Sequence, residues 1–478
     1  MVISEWGYSL LYNTLDISSH KTIIRASMAD TKVTASTDQT LRDEILRLAW
    51  PILISGLLGT IIMFTDRLIL GRYNPDTLAS MQVIGPITWT AFSIFGSFGI
   101  GMLAILGRAV GAKDSDRANG VLSSSLLIAL VAGIVLGGLG IAGKSWFTEL
   151  LMGVDNPSQT VRDMATTYLT WTFSAAPFTT MAVILTFGFQ ASGDTKTPMW
   201  VSFFSGFVNL SLSWIFVFGL FGAPEWGITG AALGTASASV LNCVVLGWLI
   251  QRPTRTVRIT RPQFSFLRPV FNVAFPAFAE RVILHSGFLV FTGFVGRLGT
   301  AAMAAQQACL AIESLGFIAS YALGNASGTI VAQKLGAKQP ADAEATIWYT
   351  MRFSVLLMCA IGSLFFFGAE TFVGWFCTDP ESLALGITCM KVASIAQPMM
   401  AFCDCFAGSL RGAGDTKSPM IAAFFGPVAV RISACYLLAF TFDMGLVGIW
   451  IGSTFDWGIR ALWLFFVVKR GHWKNIEV

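Results

Sequence analysis

Charged residues are scarce for a chain of this length. Only 12% of the 478 residues are Asp, Glu, Lys or Arg, while 54% are hydrophobic. Soluble domains contain about a quarter charged residues, so the composition excludes a soluble domain as the main part of the chain. It fits a chain surrounded by lipid, because a charge at the centre of a bilayer costs at least about 2.5 kcal/mol.

Metal-binding residues are also few. There are three histidines, and the eight cysteines are scattered rather than clustered. Cys403 and Cys405 are two positions apart and therefore point in different directions on a helix. A zinc site needs several Cys or His ligands close together, so we expect no metal site of that kind and no cofactor. The net charge of +4 gives no indication of nucleic acid as a partner.

Transmembrane β-strands are not indicated, because the apolar runs lack the alternating pattern of such strands. About twelve runs of eighteen or more residues are instead long enough to cross a bilayer as helices. They lie at 46–70, 78–106, 122–146, 162–191, 198–221, 228–250, 272–296, 302–332, 346–368, 383–409, 418–441 and 445–468. The sequence thus predicts an all-α integral membrane protein of twelve transmembrane helices.

The N-terminal segment lacks the apolar core of a signal peptide. We expect a polar, disordered tail there, with Met28 as a second possible start. The predicted domains are the tail at 1–40, a six-helix lobe at 41–251, a basic linker at 252–268, a second six-helix lobe at 269–470 and a tail at 471–478.

Basic residues concentrate in alternate loops. The mid-chain linker contains Arg252, Arg255, Arg258, Arg261 and Arg268, whereas acids such as Asp76, Glu149, Glu225 and Asp379 lie in the opposite loops. Cytoplasmic loops are enriched in Lys and Arg. We therefore expect both termini and the linker on the cytoplasmic side of a cell or inner membrane.

The chain repeats itself. Gly-Asp-Thr-Lys-Thr-Pro-Met at 193–199 recurs as Gly-Asp-Thr-Lys-Ser-Pro-Met at 414–420, and Pro51 recurs as Pro276. Each half contains an even number of spans, which predicts a parallel repeat about a pseudo-twofold axis along the membrane normal. Asp194 and Asp415 are expected to cap the helices that follow. Two such lobes leave a central cleft and favour transport by alternating access.

Ionisable residues within the spans are the strongest functional candidates. Asp66 lies in the first span, fifteen residues after Pro51, which allows that helix to bend. A carboxylate in a cleft can bind a proton or a sodium ion, and the bend can respond to it. A purely structural carboxylate is the alternative. Asn209 in the fifth span is a neutral group able to donate to Asp66.

The second half differs in chemistry. Phe291 stands at the position equivalent to Asp66, and Glu280 follows Pro276, where the first half has Ser55. Glu280 and Asp404 are further candidates for cation coupling, and the alternative for Glu280 is a salt bridge with an arginine.

Other polar residues in the spans predict cleft contacts or internal pairs. Arg281, which is paired in sequence with His285, is a candidate for the substrate cleft together with Gln82, Gln307 and Phe291. Asp456 and Arg460 are four residues apart and are expected to pair with each other. The role of Arg431 stays open.

These motifs resemble the multidrug and toxic compound extrusion (MATE) transporters over about residues 45–470. The resemblance rests on Pro51 with Asp66 in DRLILGR, on GFQASGDTKTP and GSLRGAGDTKSP, and on GAK after spans two and eight. It implies two six-helix lobes with a central cavity, and export of cationic, amphipathic compounds in exchange for sodium ions or protons.

The resemblance also implies residue roles. The carboxylate matched by Asp66 binds or responds to the coupling ion, the proline matched by Pro51 bends its helix, and Asn209 matches an asparagine near that carboxylate. The acid that often follows one turn later is replaced by Ser213. Glu280 matches a seventh-span glutamate, so a sodium ion is expected at Asp66 or Glu280, and Asp404 lies about one turn from a tenth-span acid of the family.

Two other functions fit parts of the sequence. A lipid or oligosaccharide flippase of similar build would need cationic residues for phosphate, and Arg67, Arg281 and Arg431 are available. An intramembrane aspartyl protease would use the Gly-x-Gly-Asp that ends at Asp415, but it needs a Tyr-Asp pair, which the chain lacks. We expect a monomeric transporter of small organic molecules and not an enzyme.

Overall fold

The computed structural model describes residues 17–152 and 159–477, with the side chains of residues 39–151 and 159–477. Within these ranges the chain is helical and contains no β-strand. Eleven helices are long and apolar enough to cross a membrane, and one further pair, bent by 51°, makes up to twelve. The predicted all-α fold with twelve spans is thus confirmed.

Among the residues that the structure describes, the N-terminal lobe contains eight α-helices. They are α1 Ile17–Tyr73, α2 Pro75–Gly96, α3 Phe98–Gly111, α4 Ser115–Met152, α5 Gln159–Ser174, α6 Ala176–Ala191, α7 Lys196–Phe218 and α8 Ile228–Ile250. The bent pair is α5 and α6, and Pro177 in the first turn of α6 explains the break, because proline cannot continue the hydrogen-bond pattern of a preceding helix.

The C-terminal lobe contains the other eight. They are α9 Leu267–Gly296, α10 Thr300–Gly336, α11 Pro340–Phe367, α12 Ala369–Gly374, α13 Pro380–Gly412, α14 Lys417–Ala423, α15 Ile432–Tyr436 and α16 Gly445–Arg470. Segments Phe424–Arg431 and Leu437–Thr441 on either side of α15 are π-helical, so the eleventh span is irregular along much of its length.

The structure corrects one expectation at the N-terminus. The tail at 1–40 was expected to be disordered, but α1 begins at Ile17 and continues into the first span. Residues 17–50 contain neither glycine nor proline, so nothing in this stretch interrupts the helix. Residues 1–16, including the start at Met1, lie outside the described residues.

The linker between the lobes is held against the N-terminal lobe. The Thr260 N–H donates to Ser123 Oγ over 2.8 Å, and Arg255 forms an ion pair with Asp194. Burial alone raises the pKa of Asp194, but hydrogen bonds from Thr197 and Arg255 outweigh it and keep that pKa below its usual value. The basic linker therefore has a defined path rather than a loose one.

The two repeated loops have the same local structure. The Asp194 carboxylate accepts a hydrogen bond from the Thr197 N–H over 3.0 Å, and Asp415 accepts one from the Ser418 N–H over 3.0 Å. The preceding glycines have φ of +85° and +90°, a conformation that only glycine adopts without strain. The expected helix caps are confirmed, and this local symmetry supports the assignment of the loops as a repeat.

The lobes approach each other closely on the side that carries these loops, which we call the terminal face. Gly111 at the end of α3 packs on the backbone of Gln333, and Gly336 at the end of α10 packs on the backbone of Arg108. Arg108 and Gln333 lie 225 positions apart, as Gly111 and Gly336 do. The two contacts are therefore equivalent under the pseudo-twofold axis, which passes between α3 and α10.

Hydrogen bonds cross the axis at the same place. Arg108 Nη2 of the N-terminal lobe donates to the Ala413 carbonyl of the C-terminal lobe over 2.7 Å, and its Nη1 donates to the Ile476 carbonyl. In the other direction, Gln333 Nε2 donates to the Ala191 carbonyl over 2.7 Å. Each lobe thus holds the loop region of the other, and the terminal face is closed.

We predict that Gly111→Ala opens the terminal face. The added Cβ would overlap the Gln333 carbonyl, and overpacking of this kind costs about 1–3 kcal/mol. The measurement is the rate at which an impermeant thiol reagent, applied from the terminal face, labels a cysteine at Asn325 on α10, which lines the cavity between the lobes. The Asn325→Cys reporter is placed in a Cys359→Ser background, because Cys359 is the exposed cysteine among the described residues. The rate should rise in Gly111→Ala.

The matched control is Gly138→Ala in α4, where an added Cβ meets no atom within 4 Å. It should label as slowly as the unsubstituted reporter. Equal labelling of all three proteins would contradict the closed contact between α3 and α10.

Candidate functional site

The first part of the candidate site is the Asp66 carboxyl group in the N-terminal lobe. Asp66 on α1 faces Asn209 on α7, whose side chain interacts with the carboxyl group. Asp66 Oδ1 is buried and has no hydrogen-bond partner among the described residues. Asn209 Oδ1 accepts a hydrogen bond from Ser213 Oγ over 3.0 Å. The structure thus places Asn209 beside Asp66, and Ser213 is hydrogen-bonded to Asn209.

A second set of oxygens lies beside them. The Tyr168 hydroxyl on α5 is close enough to Asp66 to interact with its charge, and it lies 3.2 Å from Thr235 Oγ1 on α8. Sequence reasoning did not find Tyr168 and Thr235. Hydroxyl residues are common in apolar spans, so nothing in the sequence distinguishes these two from the rest.

One carboxylate among neutral oxygens suits a singly charged ion. Within the described residues there is no group of three or more His, Cys, Asp or Glu side chains able to hold a metal together. Zinc favours nitrogen and sulfur ligands, and Ca²⁺ takes six to eight oxygens, usually several of them carboxylates. The donor set at Asp66 therefore fits a proton or a sodium ion better than a divalent metal.

Pro51 affects the helix that carries Asp66. The helix α1 is continuous through Pro51, but proline has no N–H to donate to the carbonyl four residues earlier, which is that of Arg47. Thr195 Oγ1, from the first repeated loop, donates to this carbonyl over 3.4 Å. Pro276 likewise lies inside α9 without ending it.

The Glu280 side chain forms a buried ion pair. Its side chain is 4% exposed, and both carboxylate oxygens accept from Arg411: Nε donates to Oε2 over 3.2 Å, and Nη2 donates to Oε1. The arginine salt bridge considered as the alternative for Glu280 is present. A sodium ion at Glu280 would have to displace Arg411.

Asp404 and Arg281 lie near this pair. The Asp404 side chain interacts with Ser320 and with the charges of Arg411 and Arg281. His285, one turn from Arg281, contacts the other lobe through Thr90 Oγ1, which lies 3.3 Å from His285 Nδ1. The contact between Thr90 and His285 links the two lobes. Glu280 and Asp404 both have arginine neighbours.

A further charge cluster lies deeper in the C-terminal lobe. The predicted pairing of Asp456 with Arg460 is confirmed, with 2.8 Å from Nε to Oδ1 and 3.0 Å from Nη2 to Oδ2. Arg431 also binds Asp456, over 2.6 Å. Glu313 on α10 is 5% exposed and interacts with the charge of Arg431. Sequence reasoning missed Glu313, although an acid within the run 302–332 satisfies the same criterion as Asp66.

The central cavity has a volume of about 410 Å³ and lies between the lobes. Helices α1, α6 and α8 form one wall, and α10 of the C-terminal lobe forms the other. Its amide side chains are Gln190, Asn242 and Asn325. Sequence reasoning missed all three, although amides inside apolar runs are the signal that led to Asn209.

The four residues expected in the substrate cleft do not line this cavity. Gln82 and Gln307 are exposed, and Phe291 is buried in the core of the C-terminal lobe beneath Arg431. Arg281 lies near the Glu280 pair instead. None of the four therefore belongs to the lining of this cavity.

The cavity and the Asp66 cluster are connected along α8. Ser239 lines the cavity, and its Oγ donates to the Thr235 carbonyl over 3.1 Å. The Thr235 side chain contacts Tyr168 beside Asp66. One turn of helix, about 5.4 Å, therefore separates Ser239 of the cavity from Thr235, the partner of Tyr168.

One glycine-rich segment is not a phosphate loop. Residues 138–145 have the spacing Gly-x-x-x-x-Gly-Lys-Ser, but they lie within the helix α4. Their N–H groups are used by the helix, and Lys144 Nζ donates to Thr170 Oγ1 over 2.7 Å. A phosphate-binding loop needs free N–H groups ahead of a helix, so this segment does not provide one.

Known proteins match the chain over most of its length. The MatE family model matches residues 51–215 and 276–437, together more than half of the chain, and the two segments begin at Pro51 and Pro276. A probable multidrug resistance protein NorM of Thermotoga maritima is 24% identical over 442 residues, which cover 92% of this chain and 94% of that protein.

Solved structures share the fold. A MATE structure in the bent conformation superimposes with a TM-score of 0.83 at 18% identity, over 92% of this chain and 98% of that one. A transporter of the MOP superfamily from Pyrococcus furiosus, whose binding pocket is described as having reverse polarity, gives a TM-score of 0.83 at 18% identity over 91% and 97%.

We predict that Glu280 and Arg411 stabilise the fold as a pair. Glu280→Gln and Arg411→Met should each lower the free energy of unfolding by about 3–5 kcal/mol, because each leaves a buried polar group unpaired. The double substitution should cost less than the sum of the two. Thermal unfolding in detergent measures all three, with the exposed Glu370→Gln as the control that leaves unfolding unchanged.

Proposed function

The chain belongs to the multidrug and toxic compound extrusion (MATE) family, and from this we propose that it exports amphipathic organic compounds in exchange for sodium ions or protons that bind at Asp66. The single observation that carries the assignment of the ion site is the buried, unpartnered Oδ1 of Asp66, whose carboxyl group interacts with the neutral side chain of Asn209.

Asp66 is preferred to Glu280 as the coupling residue. Both oxygens of Glu280 accept hydrogen bonds from Arg411, so a cation there competes with a guanidinium. At Asp66 an ion or a proton supplies a partner that Oδ1 otherwise lacks. Asp404 shares the positive surroundings of the C-terminal lobe, which makes it a weaker candidate for cation coupling.

Coupling requires that the ion site and the cavity influence each other. The link from Asp66 through Tyr168 and Thr235 to Ser239 provides a route, because a change in the hydrogen bonds of Thr235 shifts the turn of α8 that lines the cavity. The bend permitted by Pro51 provides a second route, since α1 carries Asp66 and also lines the cavity at Ile52 and Ser55.

The state of the transporter follows from the closed terminal face. The concentration of basic residues in the loops of this face supports a cytoplasmic location for it and for both termini. Closure by Arg108 and Gln333 then corresponds to an outward-facing state. We propose that one chain forms the transport unit in the inner membrane, since both lobes and the cavity between them belong to it.

A flippase of similar build is less well supported. A phosphate group would need arginines in the cavity, but among the described residues the cavity lining carries no charge. Arg431 is paired with Asp456. The protease alternative loses its main residue, because Asp415 caps a helix through Ser418.

We predict that Asp66→Asn abolishes ion-driven export and leaves the protein folded. Membrane vesicles with an imposed sodium gradient, and then with an imposed proton gradient, measure uptake of a fluorescent organic cation. The wild type should respond to one of the gradients, and Asp66→Asn to neither, because an amide cannot take up a proton or neutralise an ion.

The matched control is Asp116→Asn, an exposed carboxylate at the start of α4. It should transport as the wild type does. Unchanged gradient-driven export in Asp66→Asn would refute the coupling site, and no export by the wild type under either gradient would refute the proposed function itself.

A further inference from the structure

The central cavity is uncharged, which bears on the compounds it can hold. Within the described residues its lining consists of apolar side chains, hydroxyls and amides, with no Asp, Glu, Lys or Arg. The nearest acid on α1, Asp66, is ten residues from Gly56 of the lining, or about 15 Å along the helix. A ligand in the cavity therefore meets no counter-charge in its walls.

Four of the five hydroxyl groups in the cavity lining, all except that of Tyr321, are already used as donors. Ser55, Thr186 and Ser239 donate to the backbone carbonyls four residues earlier over 2.8, 2.9 and 3.1 Å, and Thr179 does the same over 3.2 Å. A hydroxyl has one donor hydrogen and two acceptor lone pairs. These four side chains consequently offer a ligand only acceptors.

Two amides add unsatisfied acceptors. Gln190 Oε1 and Asn242 Oδ1 are buried and have no hydrogen-bond partner among the described residues, and Gln190 as a whole is 8% exposed. An unpaired buried acceptor costs about 1–3 kcal/mol. A ligand N–H or O–H that reaches these oxygens removes that cost.

We propose that this cavity selects organic compounds by their N–H and O–H donors rather than by positive charge, so that protonated amines bind well and quaternary ammonium compounds bind poorly. The inference rests on the proposed export function and names the substrate class of its cavity. The relevant residues are the acceptors on Gln190, Asn242, Ser55, Ser239, Thr179 and Thr186.

The physical basis is a comparison at constant charge. A protonated secondary amine and its quaternary N-methyl derivative carry the same charge, and both can contact the rings of Phe187 and Tyr321 in the lining by cation–π attraction. Only the amine can donate hydrogen bonds, which are stronger when the donor is charged. The difference between the two compounds therefore reports on the hydrogen bonds that the amine donates.

The test uses matched pairs of amphipathic aromatic cations, each a secondary amine and its fully methylated quaternary derivative. Binding is measured by equilibrium titration of the purified full-length protein in lipid nanodiscs, and export is measured in vesicles under the driving gradient. We expect the amine to bind about tenfold more tightly than the quaternary compound, which corresponds to about 1.4 kcal/mol.

Variants locate the effect. In Gln190→Leu and Asn242→Leu the ratio of the two affinities should fall toward one, while the exposed Gln307→Leu, outside the cavity, should keep the wild-type ratio. The wild-type ratio alone already tests the proposal if a variant fails to fold.

The outcomes separate this inference from the proposed function. Equal affinities for amine and quaternary compound in the wild type, with export of both, would overturn donor selection and leave the export function intact. Export of neither compound under any gradient would refute the export function and with it the inference.

Discussion

The close approach of α3 and α10 on the terminal face is the constraint on which the rest of the structure depends. Gly111 and Gly336 permit it, because a Cβ at either position would overlap the backbone of the other lobe. Arg108 and Gln333 then cross the pseudo-twofold axis to carbonyls of the opposite lobe. Because the two lobes are in contact at the terminal face, the cavity of about 410 Å³ is closed on that side. A movement of one lobe relative to the other at the contact between α3 and α10 would change access to the cavity.

The two halves share this frame but differ in their charges. In the N-terminal lobe Asp66 is surrounded by neutral oxygens and keeps an unpartnered oxygen. In the C-terminal lobe the equivalent position is Phe291, and the acids lie beside arginines, as Glu280 lies beside Arg411 and Asp456 beside Arg431 and Arg460. The first lobe is thus suited to bind an ion, whereas the second is stabilised by internal pairs.

The sequence predicted the helices and the repeat, and it singled out Asp66 and Asn209, because a polar residue inside an apolar run is visible without a structure; that the two lie near each other was implied only by the family resemblance. It did not predict the partner of Glu280, since Arg411 lies 131 positions away and only the fold brings its side chain to Glu280. It also did not place Gln82, Gln307 or Phe291, because a residue within a span can face lipid, core or cleft. The feature that indicated Asn209, a polar residue inside an apolar run, is also present at Gln190, Asn242 and Glu313, although these three were not among the predicted residues. No feature of the sequence distinguishes Tyr168 and Thr235.

The hydrogen bond from Thr195 to the Arg47 carbonyl has a consequence for the energy of the first helix. At 3.4 Å it lies beyond the usual range for a hydroxyl donor, and a typical hydrogen bond contributes only about 1 kcal/mol. Straight and bent forms of α1 that differ by this one bond would therefore differ only about fivefold in population. An event at the loop that moves Thr195 is enough to redistribute them, so the first repeated loop can influence the conformation of the helix that carries Asp66.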